Sequence, residues 1–300
     1  MEIRRGFWYG FFAYVVWGLT PLYWNMFDDI DSMVLLGHRI VWSVPLLIAV
    51  IAVQRRFAEF REAFRSLRVV AITAIAAALL SINWGVWLWS VTNAHLVEAS
   101  LGYFITPLVS IGLGVIVLRE SLTRLQWISI TIATIGVVGL GITIGKPPWI
   151  ALLLAGSFGT YGLVKKREEV AAPLISLGGE LAIMGIPGFV LMVFVVDPAG
   201  GGFGTSSGLT LFFLGSSIVT VVPLLMFGAA AKRIPLTMLG LLQYIAPTLQ
   251  LLLGVWVYGE DLPPERLVWF VVVWIALVVY TYDSIATVRR GRIQAVVSPI

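Results

Sequence analysis

The chain has no cysteine and only two histidines among its 300 residues, and charged residues make up just 12% of it. Without cysteine there is no disulfide, thiolate nucleophile or thiolate metal site, and redox chemistry gives no information about compartment. His38 and His95 alone cannot build a His-based zinc centre, so neither a metal nor a cofactor is expected. No glycine loop followed by Lys and Ser or Thr occurs, which removes ATP as the evident energy source. Gly200 to Gly204 make a glycine-rich stretch with no neighbouring base for a phosphate. No cluster of nucleophile and base is evident either, which argues against an enzyme.

What remains is apolar. Hydrophobic residues supply 59% of the chain in long runs from end to end, so most of it must face lipid or other membrane helices. The first run follows Arg4 and Arg5 as in a signal peptide, yet it continues to about Met26, past the ~7 to 15 residue apolar core of such a leader. It reads as a retained span. A span takes about 20 residues, and cutting the chain at its charged and Pro/Gly clusters predicts an all-α integral membrane protein of ten transmembrane helices. These begin near Gly6, Met33, Val69, Val97, Leu125, Trp149, Pro173, Leu209, Leu236 and Arg266.

The charges test that topology. With the N-terminus inside, all but three of the 20 Lys and Arg residues fall on cytoplasmic segments, as the positive-inside rule requires. Lys146 and Arg266 lie outside, among Asp28, Asp29, Asp31, Asp197, Glu260 and Asp261, and Arg39 falls inside a span. Both termini are therefore expected in the cytoplasm. The net charge of +4 follows from this placement and does not point to nucleic acid.

The two halves also match. At one constant offset Leu101, Ile105, Pro107, Gly114, Val115, Val117, Glu120 and Leu122 meet Leu241, Ile245, Pro247, Gly254, Val255, Val257, Glu260 and Leu262. Residues 1–145 then form a first five-helix unit, 146–288 a second, and 289–300 a cytoplasmic tail. Five spans is an odd number, so the second unit enters the membrane from the opposite side. Inverted repeats of this kind build secondary transporters, with the substrate held between the units near mid-bilayer and exposed by alternating access.

Ionisable groups inside spans are costly and so mark function. Arg39 and Glu180 each lie about 10 Å deep at ~1.5 Å per residue. Moving the offset by one residue through the first helices matches Gly18 with Gly159, Gly37 with Gly178 and Arg39 with Glu180. The functional reading has Arg39 hold an anionic or polar group, and Glu180 bind a cationic group or a coupling proton. The structural alternative is that they neutralise each other. Trp42 and Ser43 share the face of Arg39, and Asn83 and Trp87 share a face of the third span. Tyr103, Gln243 and Tyr244 put phenols and an amide at depths where lipid penalises them. Pro107 and Pro247 mark helix bends. Glu120 and Glu260 fit capping roles, and solvation accounts for Glu98.

Several of these segments carry a resemblance. Trp17-Gly18 with Pro21-Leu22-Tyr23-Trp24, His38-Arg39-Ile40-Val41-Trp42-Ser43, Asn83-Trp84-Gly85-Val86-Trp87, Glu98 to Ile105 and Leu241 to Gln250 are similar to the RarD branch of the EamA permeases in the drug/metabolite transporter superfamily. That resemblance covers essentially the whole chain. It implies a bacterial inner-membrane permease of two inverted EamA repeats, in a family labelled for chloramphenicol sensitivity. The expected partners are a small polar, zwitterionic or aromatic metabolite or drug, and the lipid bilayer. Transport is proton-coupled or passive, a lipid-modifying enzyme is the rival class, and a homodimer stays open.

Overall fold

The computed structural model describes residues 2–26, 30–93, 95–142, 148–170, 172–190, 192, 202–259 and 263–297. Among these every regular element is a helix: α1 (Glu2–Trp24), α2 (Ser32–Val53), α3 (Phe57–Ala63), α4 (Leu67–Thr92), α5 (Leu96–Ile116), α6 (Arg124–Ile142), α7 (Trp149–Arg167), α8 (Pro173–Val190), α9 (Ser207–Arg233), α10 (Leu236–Leu242), α11 (Ile245–Trp256) and α12 (Pro264–Val297). Seven segments are long and apolar enough to cross a membrane, counting Leu236–Trp256 as one; α1 and α7, which carry charged ends, are not among them. The outer surface carries exposed Trp8, Phe12, Ile82, Trp127, Ile135, Ile186, Leu211, Ile218, Ile275 and Val278. Such a surface suits hydrocarbon and not water.

Local chemistry sets the ends. Asp31 accepts from Met33 N at 2.7 Å to start α2, and Ser206 accepts from Leu209 N at 3.1 Å to start α9. Arg55, just beyond α2, and Arg119, beyond α5, end their helices at φ 55, a left-handed conformation that disfavours a side chain. Gly259, beyond α11, does so at φ 67. Arg119 and Gly259 occupy matching places in the two halves.

The sequence pattern predicts one helix starting near Leu236, whereas the structure breaks it at Gln243 and Tyr244 into α10 and α11. Pro247 explains the break, because its missing N–H leaves the Gln243 carbonyl without the usual partner one turn earlier. Pro107, at the matching place, lies inside an unbroken α5. The short α3 is not anticipated by hydropathy, and α12 runs on through the segment expected to be a separate tail. Lys146, Asp28, Asp29, Asp197, Gly200, Glu260 and Asp261 lie outside the described residues, as does the boundary near residue 145.

The principal packing pairs keep their pattern when the halves are exchanged, although α7 also packs on α9 and α5 on α6 without an equal counterpart. α1 and α2 lean on α9, just as α7 and α8 lean on α4; α5 packs on α7 as α11 packs on α1. The pairs α2 with α8, α5 with α10, and α6 with α12 are their own counterparts. Glycines permit the close crossings. A Cβ on Gly18 would meet Leu249 Cβ at 2.8 Å, and one on Gly159 would meet Val109 Cγ1 at 2.7 Å, and these are again matching pairs. A main core gathers Tyr14, Leu47, Leu80, Tyr161, Leu177, Phe227 and Leu239, and a second gathers Leu101, Phe104, Val137, Tyr244, Phe270 and Val273.

The α6–α12 crossing is the tightest of these, since a Cβ on Gly139 would collide with the Trp269 indole, whereas one on Gly156 would meet nothing within 4 Å. Gly139→Ala should destabilise the protein by about 1 to 3 kcal/mol through overpacking. Gly156→Ala should leave the detergent-solubilised Tm unchanged or slightly raised. Equal melting temperatures for both variants would contradict the crossing.

Candidate functional site

Arg39 lies about two turns into α2 and meets three other helices. Its guanidinium carbon stands 5.0 Å from the ring centroid of Trp24 at the end of α1 and 5.1 Å from that of Trp84 in α4. Its Nε donates to Thr220 Oγ1 of α9 at 3.0 Å, and Thr220 in turn donates to the Ser216 carbonyl at 2.8 Å. Tyr103 of α5 is close enough to interact with its charge. Arg39 and Tyr103 are both half-buried, so part of each side chain stays accessible. A guanidinium stacked on indoles is held by cation–π attraction while its edge of N–H donors stays available.

The wall beside Arg39 differs from the expected one. Trp42 Nε1 donates to His38 Nδ1 at 3.0 Å and stacks on Phe203 with centroids 5.0 Å apart, while the Ser43 hydroxyl turns back to the Arg39 carbonyl. His38 itself stacks on Phe213 at 3.8 Å. Asn83 is spent on structure: its amide donates to the Leu154 carbonyl at 3.0 Å and to Ser157 Oγ at 3.1 Å, tying α4 to α7. Trp87 packs between core clusters. The tryptophans that do reach Arg39 are Trp24 and Trp84. Trp84 shares a face with Trp87 at a spacing of three residues, a signal that pairing Asn83 with Trp87 passes over.

Glu180 is fully buried and makes no contact with Arg39. Its carboxylate pairs with Lys165 Nζ at 2.7 Å and accepts from Tyr161 Oη at 2.9 Å. Lys165 also pairs with Glu168 at 3.1 Å and donates to Ser176, whose hydroxyl donates on to Glu168. Lys232 of α9 closes the cluster, 3.6 Å from the Glu168 carboxylate and donating to its carbonyl at 2.6 Å. Two cations thus face two anions, as burial demands. Lys165, assigned from the sequence to a cytoplasmic segment, is only 1% exposed and belongs to the bundle interior. The matching that relates Arg39 to Glu180 also relates Trp24 to Lys165. Each half therefore clamps its second helix to its first at the same place, once by cation–π stacking and once by a salt bridge.

Between these two clamps the halves meet through aromatics. Trp17 and Phe158, themselves matching residues, touch edge to face at 5.8 Å, and Tyr14, Tyr161 and Phe227 surround them. At the α10–α11 break Gln243 Oε1 accepts from Ser110 Oγ of α5 at 3.1 Å, whereas Gln243 Nε2 and the neighbouring Tyr14 hydroxyl are buried without a well-formed hydrogen bond. Tyr244 instead points into the second core, away from Arg39. Glu120, expected as a cap, acts on a helix across the fold, accepting from Leu236 N at 2.7 Å and Thr237 N at 2.9 Å, and Glu98 does the same, accepting from Ile150 N at 3.0 Å. Glu98 is accordingly buried and not solvated. Among the described residues no three His, Asp or Glu side chains converge as metal ligands.

Helices long and apolar enough to cross a membrane, enclosing this polar interior, define an integral membrane protein. Residues 4–142 match the EamA-like transporter family. The chain is 44% identical over 292 residues to the protein RarD of Streptomyces exfoliatus, covering 97% of this chain and 92% of that one. It is 39% identical over 295 residues to the transporter YojE of Bacillus subtilis (strain 168), covering 97% and 98%. A solved structure titled only as the crystal structure of a protein superposes with a TM-score of 0.71 at 16% identity, over 92% of this chain and 97% of that one, which shows a shared fold. The chain belongs to the RarD family of EamA permeases, multi-pass proteins of the bacterial inner membrane.

The buried cluster sets a stability test. Lys165→Met leaves Glu180 without its cation and should cost roughly 3 to 5 kcal/mol, whereas the double substitution Lys165→Met with Glu180→Met should recover most of that loss. Thermal unfolding in detergent reads both. A single variant that melts like the parent would show the pair to be dispensable.

Proposed function

We propose that the protein is a secondary transporter of a small polar or aromatic metabolite or drug, built from ten spans in two inverted five-helix repeats with both termini in the cytoplasm. The principal packing pairs, kept when the halves are exchanged, and the matched glycine crossings support the repeats, and the distribution of Arg and Lys supports the orientation. The observation that carries the transport reading is the unequal treatment of the two clamps. Arg39 stays half-buried and without an anion at one end of the shared aromatic interface, and the Lys165–Glu180–Glu168–Lys232 cluster closes the other.

Under the proposed orientation, this arrangement is open toward the outside and sealed toward the cytoplasm. Substrate enters beside Arg39, Trp24 and Trp84. Opening the inner side requires Lys165 to part from Glu180, and a carboxylate left in a membrane interior takes up a proton in preference to staying charged. Glu180 is the proposed site of that proton, and Gln243, with the Pro247 break behind it, lies where the two halves would move against each other.

Purified protein in proteoliposomes tests the reading. Uptake should saturate with substrate, show trans-stimulation, and quicken when a pH gradient is imposed; Glu180→Gln should remove the response to the gradient. Equal rates with and without the gradient would remove proton coupling. Flux that neither saturates nor responds to trans substrate would make the protein a passive facilitator, and a chemically altered lipid among the products would make it an enzyme.

A further inference from the structure

The charges inside the bundle are not symmetrically disposed, and that asymmetry bears on the cargo. Lys165 and Lys232 face Glu168 and Glu180 in one closed group. Glu98 and Glu120 sit on the N-terminal N–H groups of α7 and α10, and Asp283 accepts from Thr123 Oγ1 at 2.6 Å. Arg39 is different. Among the described residues no carboxylate pairs with it, and its one hydrogen bond runs from Nε to Thr220. Its two terminal nitrogens have no hydrogen-bond partner among the described residues and are not among the sealed side-chain atoms, and a guanidinium in that state can grip a planar carboxylate with two parallel bonds.

The same surroundings offer nothing to an ammonium group. The indole faces of Trp24 and Trp84 are already engaged by the guanidinium. The Thr220 hydroxyl accepts from Arg39 and donates to Ser216. Glu180, the acid expected from the sequence to take a cationic group, is held by Lys165 and Tyr161. A cation a few ångströms from Arg39 would meet repulsion that the low dielectric of the interior strengthens.

We infer that the cargo is a net anion, a small carboxylate on a flat apolar body that lies against Trp24, Trp84 and Tyr103, and that zwitterions and amines of the same shape are refused. An arriving carboxylate supplies Arg39 with the counter-ion that the described structure does not give it, so occupation of the site lowers the cost of carrying Arg39 through the bilayer. This inference rests on the transporter reading for its biological meaning, but binding can be measured without it.

The test uses four compounds sharing a phenyl body: 3-phenyllactate as the anion, phenylalanine as the zwitterion, phenethylamine as the cation and 3-phenylpropanamide as the neutral amide. Quenching of tryptophan fluorescence reports occupation beside Trp24 and Trp84. The anion should bind saturably at millimolar concentration or below, with the other three at least about tenfold weaker, the loss of one charge-assisted bidentate contact. Arg39→Gln should lose about tenfold or more in affinity for the anion, and Arg39→Lys, which keeps the charge without the fork, should fall between. Melting temperature identifies a misfolded variant, and Arg39→Lys then decides. Phenylalanine or phenethylamine binding as well as the anion, no binding by the anion, or parental affinity in a folded Arg39→Gln overturns the inference. Counterflow separates the two claims: an anion that binds but is not transported breaks the transporter reading alone, and a zwitterion transported independently of Arg39 breaks this one alone.

Discussion

An ionised side chain that cannot reach water must be neutralised where it stands, and in this bundle that requirement organises more of the structure than any hydrophobic contact does. Lipid and packed side chains are alike in apolarity, so burial of leucine does little to choose one helix partner over another. Lys165 does choose. It draws Glu180, Glu168 and Ser176 of α8 and the preceding turn onto α7, and Lys232 brings in α9. The register of three helices is set by four charges.

The first half reaches the same arrangement with different chemistry. Trp24 takes the place of Lys165 and Arg39 that of Glu180, so the cation moves from the first helix to the second and the anion is replaced by an aromatic face. A salt bridge is closed on itself, whereas a stacked guanidinium still has its donors. One clamp is therefore finished and the other is receptive. In the proposed repeat, similar helix arrangements with unequal clamps would make a two-sided machine out of a nearly symmetric scaffold.

Much of the scaffold was legible in the residues. Long apolar runs delimit helices, the repeat pairs Gly18 with Gly159, whose crossings with Leu249 and Val109 also correspond, and Arg39 stands out because charge is rare inside spans. The partners of that charge were not legible. Trp24 and Trp84 come from other helices, and hydropathy carries no information about which helix lies beside which. Trp42 and Ser43 share a helix face with Arg39, but a local hydrogen bond to His38 and one to the Arg39 carbonyl claim them first. Lys165 was misplaced because a lysine near two further basic residues reads as a loop, and only the approach of α8 shows it to be enclosed. The break before Pro247 was readable as a bend, while the continuity of α5 through Pro107 depends on context.

The left-handed residues after α5 and α11 carry a further meaning. Gly259 adopts its positive φ without steric penalty, but Arg119 holds nearly the same angle with a long side chain attached. In the inverted reading these two turns emerge on opposite faces of the membrane, and only the one facing the cytoplasm is asked to be basic. In the proposed inverted repeat a duplicated backbone is copied whole, but the membrane reads its two copies from opposite sides. At Arg119 the demand for a charge that fixes orientation prevails over the residue the backbone itself would favour, so departures from sequence symmetry at conserved geometry become a record of which side each copy faces.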